Sequence, residues 1–155
     1  MSIKKIVQKQ YRDKVNQAVR RFSGFSTPPP EGWLRTVRTA LGMTGPQLAK
    51  KLGVTKARIS KAEHDEPSGS VTLKSMQAMA QAMGCRFVYA VVPVQEVEEV
   101  IKQRAIQRAR AKVKLASTHM ALEAQSLSNE QLDFEIERLA AEIIEKMPSN
   151  LWNDE

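Results

Sequence analysis

Lys56, Ala57, Ser60 and Lys61 fall within one short stretch of the chain, and each can touch a nucleobase. Lysine ammonium groups donate to guanine O6 or N7, a serine hydroxyl serves either base type, and an alanine methyl packs on the methyl of thymine. On a helix turning about 100° per residue from Lys56, Ser60 lies at about 40°, Ala57 at about 100° and Lys61 at about 140°, with Ile59 and Ala62 on the far side at about 300° and 240°. His64, at about 80°, shares the outer side, and Arg58, at about 200°, flanks it. Thr44, Gln47, Lys50, Thr55 and Arg58 form a second set, whose hydroxyl, amide and cationic groups suit phosphate oxygens. Together these residues would read double-stranded DNA. Singly, each lysine is also an ordinary surface residue.

Reading of this kind needs a helix held rigidly, and the flanking residues predict one. Thr44 with Gln47 makes a capping box, Met43 and Leu48 bracket it as a hydrophobic staple, and Pro46 is harmless in a first turn. Thr55 is bracketed in the same way by Val54 and Ile59, and Thr72 by Val71 and Met76, so three helix starts repeat one grammar. Between the first two, Gly53 can take positive φ, and Ala49 is small enough for a second helix to cross closely. Two short helices around a glycine turn follow. Upstream, Trp33, Leu34, Val37 and Leu41 mark a preceding helix closed by Gly42.

The 155 residues suffice for one modest core with extensions, and the formal charge of +7 favours an anionic partner. That charge is uneven: residues 1–30 hold seven Lys/Arg against one acid, residues 31–94 nine against four, and residues 95–155 eight against twelve. Cys85 is the single cysteine and cannot form an intramolecular disulfide, which suits the cytoplasm. No apolar run approaches the about 18 residues of a membrane span, and the first residues lack a secretory pattern.

Ile3, Val7, Tyr11, Val15, Ala18, Val19 and Phe22 recur at helical spacing, with Lys and Arg opposite, predicting a basic amphipathic helix. It is either a packed helix with a solvated basic face or an arm for DNA or a partner. Three prolines at Pro28–Pro30 then form a stiff joint. After Gly84 the period changes to 2 across residues 86–92, and Pro93 ends it, predicting the one strand of the chain. A lone strand has no partner for its backbone. Phe87, Val88, Tyr89 and Val91 are therefore expected to pair with a second copy, antiparallel across a two-fold axis, in a homodimer.

Residues 95–125 read as a long helix with Val97, Val100, Ile101 and Ile106 on its apolar side. Its stripe of Arg104, Arg108 and Lys112 is either a solvated face or a phosphate contact. Ser128 with Gln131 caps a last amphipathic helix through Leu132, Ile136, Leu139, Ala140, Ile143 and Met147, stopped by Pro148. Its outer face is acidic, with Asp133, Glu135, Glu137, Glu142 and Glu145, which favours internal packing or a protein partner over DNA.

Gln47, Leu48, Ala49, Gly53, Val54, Thr55, Ile59, Ser60 and Glu63 match the pattern Q-L-A-x-x-x-G-V-[ST]-x-x-x-I-S-x-x-E, so the segment from Trp33 to Gly84 resembles the phage-repressor-like (Cro/C1 or XRE) helix-turn-helix family. Over its whole length the chain is similar to the mobile mystery protein A family, through KKIVQKQYRD, PPEGWLRTVRTALGMT, CRFVYAVVP and THMALE. That resemblance implies a regulator encoded beside a Fic-domain protein, antitoxin-like and controlling its own operon. Thr27 to Gly32 also fits the [ST]-x-x-x-E-[GN] signature of Fic-inhibiting segments, with Glu31 as the obstructing carboxylate. Family members carry that signature on a helix, a geometry three prolines forbid.

The expected architecture is all-α: a phage-repressor-like helix-turn-helix domain with one C-terminal β-strand and helical extensions at both ends. Its parts are a basic helix over residues 1–26, a Pro-rich linker over 27–31, a DNA-binding domain over 32–93 with its strand at 86–92, and a helical extension over 95–155. No catalytic, metal or cofactor site is expected: His64 and His119 lack metal spacing, and no glycine loop suits phosphate. The expected partners are double-stranded DNA, a second copy and a Fic-domain toxin, with no membrane. The alternatives are a mobile-element repressor without toxin neutralisation and a helix-turn-helix-derived protein-interaction module.

Overall fold

A computed structural model describes residues 2–25, 27–122 and 127–154 of the chain. Among these residues it contains helices and no strand: α1 (Ile3–Phe22), α2 (Trp33–Ala40), α3 (Gly45–Leu52), α4 (Lys56–Asp65), α5 (Leu73–Ala82), α6 (Val97–Leu122) and α7 (Asn129–Lys146). They group into two compact units, one of residues 24–90 and one of residues 1–23 with 91–155.

The first unit holds α2 to α5. Thr44, Thr55 and Thr72 each accept a backbone N–H three residues on, from Gln47, Arg58 and Ser75. At Thr44 the box is complete, its own N–H donating to Gln47 Oε1 at 2.8 Å. The stapling pairs all reach the same core: Leu48, Ile59 and Met76 are buried beside Leu34, Ala49, Met79 and Met83, with Met43, Val54 and Val71 packed against them. Leu48 and Ile59 each contribute about 2 kcal/mol by leaving water. Gly53 closes α3 at φ 67°, a conformation costing a residue with Cβ about 1–2 kcal/mol. Trp33 and Leu41 remain exposed, so Leu34 and Val37 carry the inner face of α2.

The strand expected over residues 86–92 is not seen: residues 85–93 carry neither helix nor strand. A strand exists by virtue of its neighbour's hydrogen bonds, and no partner strand is present among the described residues. Phe87 nonetheless packs against the core of its unit and stacks on Tyr89 at 5.6 Å. Val88, Tyr89 and Val91 are exposed, Val91 to 94%.

In the second unit α6 packs along α7, burying Ile101, Ala105 and Ala109 against Ala140, Ile143 and Leu151. The Ser128–Gln131 capping box forms. The last residues expected in α6, 123–125, lie outside the described residues, as does Glu123 beside His119. Helix α1 also belongs here, with the later part of its apolar stripe, Val15, Ala18, Val19 and Phe22, half-buried and the earlier part in water. Ile3, Val7 and Tyr11 are exposed, whereas Asn16 is the buried residue of α1. Asn16 Nδ2 donates to Glu98 Oε2 at 2.7 Å, and its Oδ1 accepts the Val97 N–H at 2.9 Å, capping the start of α6. That bond, with the Glu98 backbone N–H and the charge of Arg12, holds the Glu98 carboxyl below the usual carboxylate range, against a smaller effect of burial.

The stripe on α6 is neither wholly solvated nor free for phosphate. Arg104 is 15% exposed; it donates to the carbonyls of Leu151 at 2.8 Å and Asn153 at 2.7 Å, and its guanidinium lies 5.9 Å from the Trp152 ring centroid. Arg108 joins it on the Asn153 carbonyl at 3.4 Å. The residues after α7 are thereby strapped along α6, while Lys112 is exposed. On α7 the acidic face is partly neutralised locally, Arg138 pairing with Glu135 and Glu142, and Lys146 with Glu142.

Candidate nucleic-acid interface

Helix α4 starts abruptly because Thr55 caps it, and Ile59, 2% exposed, pins its inner side to α3. With that side fixed, Lys56, Ala57, Ser60 and Lys61 are all exposed, as is His64. Lys61 Nζ donates to Asp65 Oδ2 at 2.8 Å. Lys56 and Ser60 make no side-chain hydrogen bond among the described residues.

The residues expected to meet phosphate lie at the starts of α3 and α4 and beside them. Thr44, Gln47, Lys50, Thr55 and Arg58 are all exposed. Thr44 and Thr55 use their oxygens as acceptors for backbone N–H groups, which leaves each hydroxyl proton free to donate outward. Gln47 spends its carbonyl on Thr44, so its NH₂ is the group left for an anion. Lys50 is paired with no acid among the described residues. Glu31 stands exposed in the turn before α2 and not on a helix.

Two carboxylates that the sequence reading left without a role set the attitude of α4. Glu63 takes a two-pronged ion pair from Arg38 of α2, through Nε and, at 3.0 Å, through Nη2; Arg38 Nη1 also donates to the Met43 carbonyl at 2.8 Å. The pair is nearly out of water, 16% exposed at Arg38 and 9% at Glu63. The hydrogen bond and charge of Glu63 raise the Arg38 pKa above its ordinary value, against a smaller effect of burial.

Glu66 then caps α2, accepting the N–H of Trp33 and, at 2.8 Å, that of Leu34. Gly32 cannot supply a side-chain cap, and a Cβ there would lie 2.5 Å from the Glu66 carboxylate. The signal for both acids was in the helical angles: Glu63 at about 340° and Glu66 at about 280° flank Ile59 on the buried side. An acid placed there requires a donor.

Residues 34–89 match the helix-turn-helix family. This segment is a helix-turn-helix domain of XRE type. Comparison with curated proteins and with solved structures returned no match. Within the helix-turn-helix domain, α3 and α4 are the two motif helices, Gly53 to Thr55 is the turn, and α5 and α2 complete the core. The domain is that of a DNA-binding regulator. No described helix is long and apolar enough to cross a membrane.

Proposed function

We propose that the protein is a sequence-specific transcriptional regulator whose α4 enters the major groove. The observation that carries this reading is the division of α4: Lys56, Ala57, Ser60 and Lys61 are exposed together while Ile59 is buried. Lys56, Ser60 and Lys61 read base edges, Ala57 meets a thymine methyl, and Thr44, Gln47, Lys50, Thr55 and Arg58 hold phosphates. Footprinting on the DNA upstream of its own coding sequence tests the reading, with a protected inverted repeat of half-sites about one helical turn apart expected. Lys61→Ala is expected to cost about 1–3 kcal/mol and relax the choice at one base pair, whereas Lys50→Ala weakens all duplexes alike. Equal losses for Lys61→Ala on protected and random duplexes would confine it to the backbone.

The protein binds as a dimer in this proposal, residues 86–92 of two copies pairing antiparallel. Support comes from the period-2 pattern of these residues, which have no ladder partner among the described residues and whose Val88, Tyr89 and Val91 face water. Sedimentation at micromolar concentration that shows monomer alone would remove this part. The likeness to the mobile mystery protein A family extends the reading to an autorepressing antitoxin of a Fic-domain neighbour, with the acidic face of α7 as the surface offered to it. Co-purification with that neighbour, lost on truncation after Ser128, is the expected result. DNA binding without co-purification would leave a plain mobile-element repressor.

A further inference from the structure

The four base-reading side chains proposed for α4 are not held alike. Among the described residues only Lys61 is tied down, to Asp65 one turn further along the helix. The two ends of that bond differ: Lys61 is 77% exposed and Asp65 22%. The backbone of Asp65 is itself anchored, its carbonyl accepting the Ser70 N–H at 3.1 Å and the Ser68 hydroxyl at 2.9 Å. A largely buried carboxylate on an anchored backbone thus holds a long, exposed cation.

Two consequences follow from elementary chemistry. An ammonium has three N–H donors, and one spent on Asp65 leaves two in a restricted arc for guanine O6 and N7. The same carboxylate opposes a phosphate that approaches Lys61, so the cation becomes a poorer non-specific contact. We propose that Asp65 is a positioning and specificity-determining residue of the DNA-reading surface, directing Lys61 to base edges and away from the phosphate backbone. This rests on the assignment of α4 as the reading helix.

The test uses the full chain and a duplex enriched by the wild type from a random-sequence pool, with a scrambled duplex as control. Affinities for both are measured at two salt concentrations for wild type, Asp65→Asn, Asp65→Glu, Lys61→Ala and the Lys61→Ala/Asp65→Asn pair. Asp65→Asn is expected to tighten binding to the scrambled duplex and lower the enriched-to-scrambled ratio about threefold to tenfold, part of what one good base contact supplies. Asp65→Glu, which keeps the charge, should retain most of the ratio. In the Lys61→Ala background, Asp65→Asn should leave the ratio unchanged.

Exposed pairs at this spacing add little to stability, and unchanged melting temperatures would confirm that the variants are folded. Equal tightening on both duplexes in both backgrounds would show a diffuse charge effect and overturn the proposal. Enrichment by the wild type with an unchanged ratio in Asp65→Asn would also overturn it, leaving α4 as the reading helix. A wild type that enriches no sequence would overturn the DNA reading itself, and this inference with it.

Discussion

Removing Glu63 tests whether the Arg38 pair sets the attitude of α4. In Glu63→Ala the guanidinium, 16% exposed in the native unit, keeps its bond to the Met43 carbonyl but loses both carboxylate contacts. Breaking one partner from a buried pair costs about 3–5 kcal/mol; the remaining carbonyl bond and residual access to water reduce this to about 2–3 kcal/mol. For a unit spanning residues 24–90, each kcal/mol moves Tm by about 4–8 °C, so a fall of roughly 10–20 °C is expected.

Because the desolvation cost disappears when both charges go, the double variant Arg38→Met/Glu63→Leu should recover most of the loss. Hydrogen exchange followed on peptides from α2 and α4 separates this unit's opening from that of the second unit. A Glu63→Ala variant within about 0.5 kcal/mol of wild type, or a double variant as unstable as the two singles combined, would refute the reasoning.

Gly32→Ala is expected to destabilise the helix-turn-helix domain more than Gly53→Ala, since both positions have positive φ but only at Gly32 does a Cβ meet the Glu66 carboxylate; chemical denaturation of both variants checks the order. The depressed carboxyl of Glu98 contributes stability above the ordinary carboxylate value, lost as pH falls through its lower native value. Asn16→Ala, which removes the first cause of that shift, should make the acid-side fall in the second unit's exchange protection shallower. Arg104→Ala should cost about 2 kcal/mol by leaving the Leu151 carbonyl without its charged donor and the Asn153 carbonyl with the longer bond from Arg108 only, and should appear as faster exchange after residue 148. An unchanged exchange pattern there would mean that the buried Leu151 and the Arg108 bond suffice to hold the strap.

What could be read along the chain was local. Thr44, Thr55, Thr72 and Ser128 each bond to a backbone group three residues on, and the paired apolar residues beside the threonines reach one core. Spacing alone encodes such contacts, because a cap and its donor are brought together by a single turn of helix. The face of α4 followed from Ile59 for the same reason.

What only the tertiary structure decided joins residues far apart in sequence. Periodicity put Ile3, Val7 and Tyr11 on one stripe with Val15, Ala18, Val19 and Phe22, yet only the later residues are half-buried, beside Asn16, whose amide satisfies Val97 and Glu98. Arg104 resembles a solvated cation until the Leu151 and Asn153 carbonyls are brought to it, and Arg38, Glu63 and Glu66 acquire their partners only when folding brings α2 beside the end of α4. The pattern of residues 86–92 favours extension, but their backbone can form a ladder only with a partner strand. Helical spacing selects which side chains share a face, whereas the chain's own packing selects which faces are used and which buried charges are paired.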